Sequence, residues 1–325
     1  MTGTDRLSAL GLPELGLGGA AIANMYRPTS EEEAAAAVDA AWDAGIRFFD
    51  TAPHYGIGLG ERRLGAALAG RPRDEFLLST KVGRLLVPNP GGEGREDESF
   101  AMPATLKREW DFSRDGVLRS FEESLERLGV DRVDILFVHD PDAAWEQAST
   151  EAVPALVELR DQGVVRAIGV GMNQSAMLTR FVRETDVDVV LCAGRYTLLE
   201  QPALDDLLPA AEEHGVGVVV GGVYNSGLTA IDRPADDAMW NYGPAPQELI
   251  DRARRIAEVC EAHGLRLPEV ATVFPRRHPA VVSTLLGLRS PDEVAEAIRR
   301  FATEVPDALW VDLADHGLLR QEVAR

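Results

Sequence analysis

The fold is decided by residues 46–56, IRFFDTAPHYG, in which a short apolar run ends at an aspartate and passes into a loop that carries a tyrosine. Two later segments repeat the pattern. Residues 76–81, FLLSTK, end at a lysine, and residues 133–139, VDILFVH, end at a histidine. Short apolar runs of this kind are typical of buried strands. Three runs that each end at an ionisable residue indicate parallel strands whose carboxyl ends meet at one rim.

The same alternation of short apolar runs and longer amphipathic stretches continues along all 325 residues. It is the pattern of repeated strand–helix units around a parallel sheet. The predicted strands are 12–18, 46–50, 76–81, 133–139, 164–170, 187–192, 216–220 and 281–286, and the predicted helices are 30–44, 60–69, 114–128, 151–162, 174–184, 203–214, 246–263 and 291–303. Eight such units favour an α/β chain folded as a closed (β/α)8 TIM barrel, a single domain over residues 1–325.

Two connections are too long for ordinary barrel turns, namely residues 83–112 and residues 222–245. They follow the third and the seventh predicted strand, so both fall on the C-terminal face of the barrel. Long loops inside a compact domain are usually functional, and barrel enzymes assemble their active sites on that face. We interpret both segments as loops that enclose a substrate rather than as domain linkers.

Composition excludes several classes of partner. The formal net charge of −20 would repel a nucleic-acid backbone. No apolar run is long enough to span a bilayer, and the N-terminal MTGTDR lacks the basic and apolar regions of a signal peptide. The spacing of Cys192 and Cys260 is not that of a metal site, and we interpret both as buried free thiols. We therefore expect a cytoplasmic protein with a small-molecule substrate, no metal, and no nucleic-acid or membrane partner; the sequence favours no particular oligomeric state.

Four residues at or near the ends of these strands suit proton transfer. A tyrosine exchanges a proton near neutral pH only if its phenolate is stabilised, and a lysine cation held by a carboxylate supplies that field. Asp50, Tyr55 and Lys81 are the residue types needed, and His139 is a further donor or orienting group. Each residue alone has a structural interpretation, but four together favour a functional one. Adjacent strand residues point to opposite faces, so we assign Asp140 a structural role.

The order and the flanking residues of these four resemble the aldo-keto reductases, whose catalytic tetrad is Asp, Tyr, Lys and His in this order. The resemblance extends across essentially the whole chain. Among the segments that carry it are LGLGG at residues 15–19 and GVVRAIGV at residues 163–170. It implies an oxidoreductase that binds NAD or NADP in an extended form across the C-terminal face. Hydride would pass between carbon 4 of the nicotinamide and a carbinol or carbonyl carbon, with Tyr55 moving the proton, Lys81 and Asp50 keeping the phenol acidic, and His139 orienting the reacting oxygen.

The resemblance also implies a set of cofactor contacts, most of them on three later segments. Asn173 would hold the nicotinamide carboxamide, Tyr224 would stack on the ring, and residues 225–228 would bind the pyrophosphate through backbone amides. Gly287 and Glu293 stand where NADP-specific members carry a Lys and an Arg. The complete predicted set is Gly19, Asn173, Tyr224, Asn225, Ser226, Gly227, Leu228, Gly287, Arg289 and Glu293.

Cofactor preference follows from the charge near the expected adenosine end. A carboxylate at residue 293 would repel the 2′-phosphate of NADP but would accept a hydrogen bond from a ribose hydroxyl. We therefore expect NAD to be preferred. Arg289 is the counter-argument, because its side chain would attract the phosphate and make NADP possible.

Within the family, segments such as EWDFS at residues 109–113 and GRYTLL at residues 194–199 resemble the branch of sugar and pyridoxal dehydrogenases. The implied activity is NAD-dependent oxidation of the hemiacetal C1 hydroxyl of an aldose to the lactone, with L-fucose, L-galactose or D-arabinose as substrate. Alternatives are a pyridoxal 4-dehydrogenase, an NADPH-dependent aldehyde or ketone reductase, and an auxiliary barrel subunit of a partner complex. The candidate substrate contacts, each with a structural alternative, are His54, Trp110, Arg195, Asn24 and Trp240.

Overall fold

Eight parallel strands form a closed barrel in the computed structural model, which describes residues 3–324. The strands are β1 (Leu15–Gly18), β2 (Phe48–Asp50), β3 (Leu77–Val82), β4 (Ile135–His139), β5 (Ala167–Met172), β6 (Val189–Ala193), β7 (Gly217–Gly221) and β8 (Val281–Gly287). Each strand pairs with its neighbours in sequence, and β8 closes the barrel against β1. The predicted (β/α)8 barrel is confirmed. Residues 1, 2 and 325 of the predicted domain lie outside the described residues.

Helices surround the barrel, including one at each of the eight positions that the sequence predicts. They are α1 (Gly3–Leu10), α2 (Glu31–Asp43), α3 (Leu59–Leu68), α4 (Arg114–Leu128), α5 (Trp145–Gln147), α6 (Val153–Asp161), α7 (Ser175–Glu184), α8 (Leu207–His214), α9 (Gln247–Ala262), α10 (Leu267–Val273), α11 (Pro291–Phe301) and α12 (Asp307–Asp315). Sequence analysis missed α10, whose Val-Ala-Thr-Val pattern is typical of a strand. Pro268 at its first turn and a hydrogen bond of 2.8 Å from the Arg266 amide to the Glu269 carboxylate start a helix there instead.

The barrel has one closed end and one open end. Side chains that point inward from alternate strand positions, among them Phe48, Phe137 and Val219, fill the interior. Leu10 of α1 packs into this inner cluster, and Arg6 of the same helix forms an ion pair with the buried Asp188. Helix α1, which the sequence did not predict, therefore covers the N-terminal end. The C-terminal end is open to a cavity.

The two long connections contain small antiparallel sheets rather than irregular loops. Residues Arg84–Pro88 pair with Leu106–Trp110, and Met239–Trp240 pair with Gly243–Pro244. Arg108 of the first hairpin donates a hydrogen bond of 3.0 Å to the carbonyl of His54 and forms an ion pair with Asp97. The first hairpin is thus fastened to the loop that follows β2. No helix in the described part of the chain is long and apolar enough to cross a membrane.

Candidate active site

Asp50, Lys81 and Tyr55 form a connected group at the open end of the barrel. The Lys81 Nζ lies 2.7 Å from Asp50 Oδ2, 2.9 Å from the Thr51 carbonyl and 3.1 Å from the Tyr55 hydroxyl. The Ser79 hydroxyl donates a hydrogen bond of 2.7 Å to the other carboxylate oxygen of Asp50. Asp50 and Lys81 are 2% and 1% exposed, so the ammonium group is almost removed from water and is held by three oxygen acceptors.

The electrostatics of this group differ in one respect from the sequence expectation. Burial alone would lower the pKa of Lys81, but the neighbouring Asp50 carboxylate and the Tyr55 hydroxyl outweigh burial and raise it. Burial raises the pKa of Tyr55 to about 12, and the Lys81 cation offsets only part of that shift. Lys81 therefore stays charged at neutral pH. In the protein alone, it does not bring the phenol below its ordinary pKa.

Two histidines lie beside the phenol. The His139 ring is 5.9 Å from the Tyr55 ring and 5.7 Å from the His54 ring, measured between centroids. Burial lowers the pKa of His54 to about 2 and places the pKa of His139 well below its usual range, and the Arg84 cation adds to both shifts. Both imidazoles are therefore neutral near pH 7. His139 is suited to donate one hydrogen bond to an oxygen next to Tyr55.

The structure corrects the geometric argument about Asp140. Strand β4 ends at His139, and Asp140 has a φ of 45°, so strict alternation of faces no longer applies. Its carboxylate turns toward the site, lies 3.5 Å from His139 Nε2 and forms an ion pair with Arg84. Asp140 is therefore a neighbour of the site and does not point away from it.

A cavity of about 690 Å³ opens beside this group, within the size range of small-molecule sites. Its wall includes Asp50 and Tyr55 together with eight of the ten predicted cofactor residues, which are Asn173, Tyr224, Asn225, Ser226, Gly227, Gly287, Arg289 and Glu293. The other two, Gly19 and Leu228, do not line it. Gly19 is packed against β2, where a Cβ would lie 2.9 Å from the Asp50 carbonyl, and Leu228 is buried in the core.

The turn after β7 also differs from the expected phosphate cradle. The amides of Asn225, Gly227 and Leu228 donate to the carbonyls of Gly222, Tyr224 and Asn225 at 3.0, 3.0 and 3.3 Å. These three amides are therefore already occupied by the turn. Other polar atoms of the wall are unpartnered, because Asn225 Oδ1 and Arg289 Nη1 are buried without a hydrogen bond. A nicotinamide dinucleotide fits this donor set, since arginine N–H groups match phosphate oxygens.

At the expected adenosine end, Glu293 and Arg289 are close to each other. The Glu293 carboxylate accepts a hydrogen bond of 2.9 Å from the Arg289 amide, and its second oxygen lies 3.8 Å from Arg289 Nε. Ser290 caps the same helix, α11, with its side chain accepting from the Glu293 amide. The cavity wall therefore presents a carboxylate and a guanidinium side by side at this end.

The five predicted substrate residues are spread over different places. Arg195 and Trp240 line the 690 Å³ cavity, so they belong to the wall around the cofactor contacts. Trp110 is 56% exposed on the first hairpin, with the Arg84 guanidinium 5.3 Å from its ring centre. His54 is next to His139 and has a buried Nδ1 without a partner.

The structure corrects the prediction that Asn24 contacts the substrate. Its carbonyl oxygen accepts hydrogen bonds of 2.9 Å from the Thr29 amide and 2.9 Å from Arg63 Nη1, and its amide nitrogen donates to the Ala101 carbonyl at 3.3 Å. Its φ of 69° is one that asparagine tolerates better than most residues. Asn24 therefore ties together the loop after β1 and does not line either cavity at the site.

Sequence reasoning missed two residues that organise the site. Glu200 accepts hydrogen bonds of 2.7 Å from Trp240 Nε1 and 3.2 Å from Asn225 Nδ2, so one carboxylate holds both side chains on the cavity wall. Arg84 pairs with Asp140 beside His139. Neither belongs to a short motif, and only the folded chain brings them to their partners. In the described part of the chain, no group of three or more His, Cys, Asp or Glu residues is arranged to hold a metal.

Fold and site together define a barrel protein that places a lysine-supported phenol and a neutral imidazole beside a cleft of cofactor size. The chain belongs to the Aldo/keto reductase family, whose sequence profile matches residues 14–316. It is 47% identical to a D-threo-aldose 1-dehydrogenase from Pseudomonas sp over 98% of this chain and 99% of the relative. It is 36% identical to a pyridoxal 4-dehydrogenase from Microbacterium luteolum over 96% of each chain. The predicted family and its branch are confirmed.

A solved glycerol dehydrogenase from Gluconobacter oxydans has the same fold. It superposes with a TM-score of 0.75 at 24% identity and covers 97% of this chain and 93% of its own. Membership of the Aldo/keto reductase family, together with the D-threo-aldose 1-dehydrogenase relative, shows that the protein is an oxidoreductase that uses a nicotinamide cofactor.

Proposed function

We propose that this protein is an NAD-dependent aldose 1-dehydrogenase, which oxidises the hemiacetal C1 hydroxyl of a sugar to the lactone. The observation that carries the proposal is the Tyr55 hydroxyl, 3.1 Å from a buried lysine that is itself paired with Asp50. That hydroxyl lies on the wall of the 690 Å³ cavity. A relative of 47% identity over nearly the whole chain is named for the same activity.

The proposed chemistry divides the work between cofactor and protein. When bound, the oxidised nicotinamide supplies the hydride acceptor. Tyr55, as phenolate, takes the proton of the C1 hydroxyl at its Oη, and Lys81 stabilises the negative charge on that oxygen while Asp50 holds the ammonium group in place. Neutral His139 donates a hydrogen bond to the reacting oxygen and fixes its orientation. Because the pKa of Tyr55 in the protein alone is about 12, the phenolate is the minor form at neutral pH and oxidation gains from alkaline conditions.

The proposed preference for NAD over NADP depends on Glu293. Glu293 lies on the cavity wall in the first turn of α11, where a 2′-phosphate would meet a negative charge. Arg289 is beside it and offsets part of that repulsion, so NADP is the weaker but possible cofactor. Oxidation of a sugar also suits NAD, whose cellular pool is mostly oxidised.

The substrate class is an aldopyranose of the L-fucose, L-galactose or D-arabinose type. Pyridoxal is the second candidate, because a pyridoxal 4-dehydrogenase is 36% identical over 96% of this chain. For the cellular site we propose the cytoplasm, where Cys192 and Cys260, which are free and buried, would stay reduced.

The test is the rate of NADH formation at mildly alkaline pH with L-fucose, L-galactose, D-arabinose and pyridoxal, each with NAD and with NADP. Sugar-dependent NADH formation, faster with NAD, is the expected result. Turnover with pyridoxal alone would favour the second candidate. Lack of oxidation of all four compounds would contradict both and direct the assay to NADPH-dependent reduction of aldehydes and ketones.

A further inference from the structure

The Arg84–Asp140 ion pair lies at the site but has no part in the proton transfer proposed above. Arg84 follows β3 on the first hairpin, and Asp140 follows β4, so two neighbouring strands bring the pair to the open end of the barrel. The Asp140 carboxylate is 3.5 Å from His139 Nε2. The pair is therefore adjacent to the position that the reacting oxygen would occupy.

The pair lines a second cavity, of about 480 Å³. Asn173 lies on the wall of this cavity and of the cofactor cavity, so the two meet beside the site. The second cavity also presents Asp142, Gln147 and other hydrogen-bonding side chains, together with the Trp110 ring from the hairpin. A substrate ring that reacts at Tyr55, on the wall of the first cavity, would extend past Asn173 toward this polar space.

Both members of the pair keep hydrogen-bonding capacity to spare. Arg84 is 7% exposed, yet its Nε has no acceptor, and only its Nη2 donates to Asp140. Asp140 is partly exposed, and its Oδ1 accepts no hydrogen bond from the described residues. Leaving the buried Arg84 Nε unsatisfied is costly, and Asp140 has a free acceptor on the cavity wall, so the pair has a donor and an acceptor available for a ligand.

We propose that Arg84 and Asp140 bind the ring hydroxyls of the sugar and select a polyhydroxylated hemiacetal over a hydroxyl-poor one. Asp140 accepts a hydrogen bond from one hydroxyl, and Arg84 donates to the oxygen of the next, since a vicinal diol offers a donor and an acceptor side by side. The Trp110 ring lies against the guanidinium, with Arg84 Cζ 5.3 Å from the ring centre. This inference rests on the proposed aldose dehydrogenase function.

The experiment compares two cyclic hemiacetals that differ only in their ring substituents. The first is whichever of L-fucose, L-galactose and D-arabinose the wild type oxidises best, and the second is 2-hydroxytetrahydropyran, which has the same reacting group and no other hydroxyl. The variant Asp140→Asn keeps a side chain that tolerates the positive φ of 45°. A control variant, Asp74→Asn, removes the carboxylate of an exposed ion pair with Arg132 far from the site.

Asp140→Asn should lower kcat/KM for the sugar by about 10- to 100-fold, the range expected for a hydrogen bond to a charged group. For 2-hydroxytetrahydropyran the change should stay below about threefold, because that compound makes no such bond. Arg84→Lys, which keeps the charge but loses the planar fork, should shift the ratio in the same direction. The affinity for NAD, measured by fluorescence titration, should be unchanged in both variants and in Asp74→Asn.

An equal loss on the two hemiacetals would overturn the proposal, since it would mean that the pair only supports His139. Unchanged kcat/KM for the sugar would overturn it as well. A wild type that oxidises no sugar would overturn the aldose dehydrogenase function itself, so the two failures are distinguishable from the wild-type measurement alone.

Discussion

Replacing Asp50 with Asn should destabilise the folded protein measurably, and the structure indicates by how much. In the wild type, the buried Lys81 ammonium group donates to Asp50 at 2.7 Å and has a raised pKa. Removing one partner of a buried ion pair typically costs about 3–5 kcal/mol, because the other charge stays buried and unpaired. We expect the low end, about 3 kcal/mol. The amide oxygen of Asn can still accept from Lys81, while Ser79, which is 2.7 Å from Asp50, takes the amide N–H.

The corresponding change in melting temperature can be worked from the size of the protein. At about 2.1 cal/mol/K per residue, 325 residues have an unfolding entropy of about 0.7 kcal/mol/K. A loss of about 3 kcal/mol then lowers Tm by about 4 °C. Thermal unfolding of the cofactor-free protein, followed by circular dichroism at pH 7, measures this shift. Asp39→Asn removes an exposed ion pair with Arg71 and should change Tm by less than about 1 °C.

A second variant separates the unpaired charge from other effects of the substitution. Asp50→Asn combined with Lys81→Met removes both charges, so about half or more of the lost stability should return. A wild-type Tm for Asp50→Asn alone would refute the reasoning. A double variant no more stable than the single one would refute it too, because the cost could not then come from a buried unpaired ammonium.

Three further results are expected. Tyr55→Phe should lower kcat by about 100-fold or more while NAD still binds, because only the proton acceptor is removed; turnover within a few-fold of wild type would contradict the assigned role. Glu293→Arg should raise kcat/KM with NADP relative to NAD by about 10-fold or more, since a repelling carboxylate becomes an attracting guanidinium; an unchanged ratio, measured against Glu304→Arg on the surface, would show that the adenosine end lies elsewhere. The pH profile of kcat/KM for sugar oxidation should keep rising above pH 8, because the phenolate is the active form and the pKa of Tyr55 in the protein alone is about 12. His54 and His139, with lowered pKa values, stay neutral over that range, so a break near pH 6.5 would be the contrary finding.

The parts of the fold that follow from local pattern were predicted correctly. Each of the eight barrel strands begins and ends within three residues of the predicted run, and the helix predicted at residues 291–303 is α11, Pro291–Phe301. Helix α10 was missed because its β-branched residues favour strands and its start depends on the side chain of Glu269. The two long connections were placed correctly but were not recognised as hairpins. The first pairs residues as far apart in sequence as Arg84 and Trp110, and the strands of the second are only 2 residues long.

At the site, sequence alone determined which residue types stand at the strand ends, because strand ends, loop lengths and proton-transfer chemistry are local properties of the chain. Asp50 and His139 end their strands and Lys81 is the last residue but one of the strand between them, and closing the barrel brings all three near Tyr55. Only the tertiary structure decided the burial, the pKa values and the contacts of these residues. Burial raises the pKa of Tyr55, and a positive φ after β4 turns Asp140 toward Arg84. Desolvation and contacts between distant segments depend on how the whole chain packs, which no short stretch of sequence encodes.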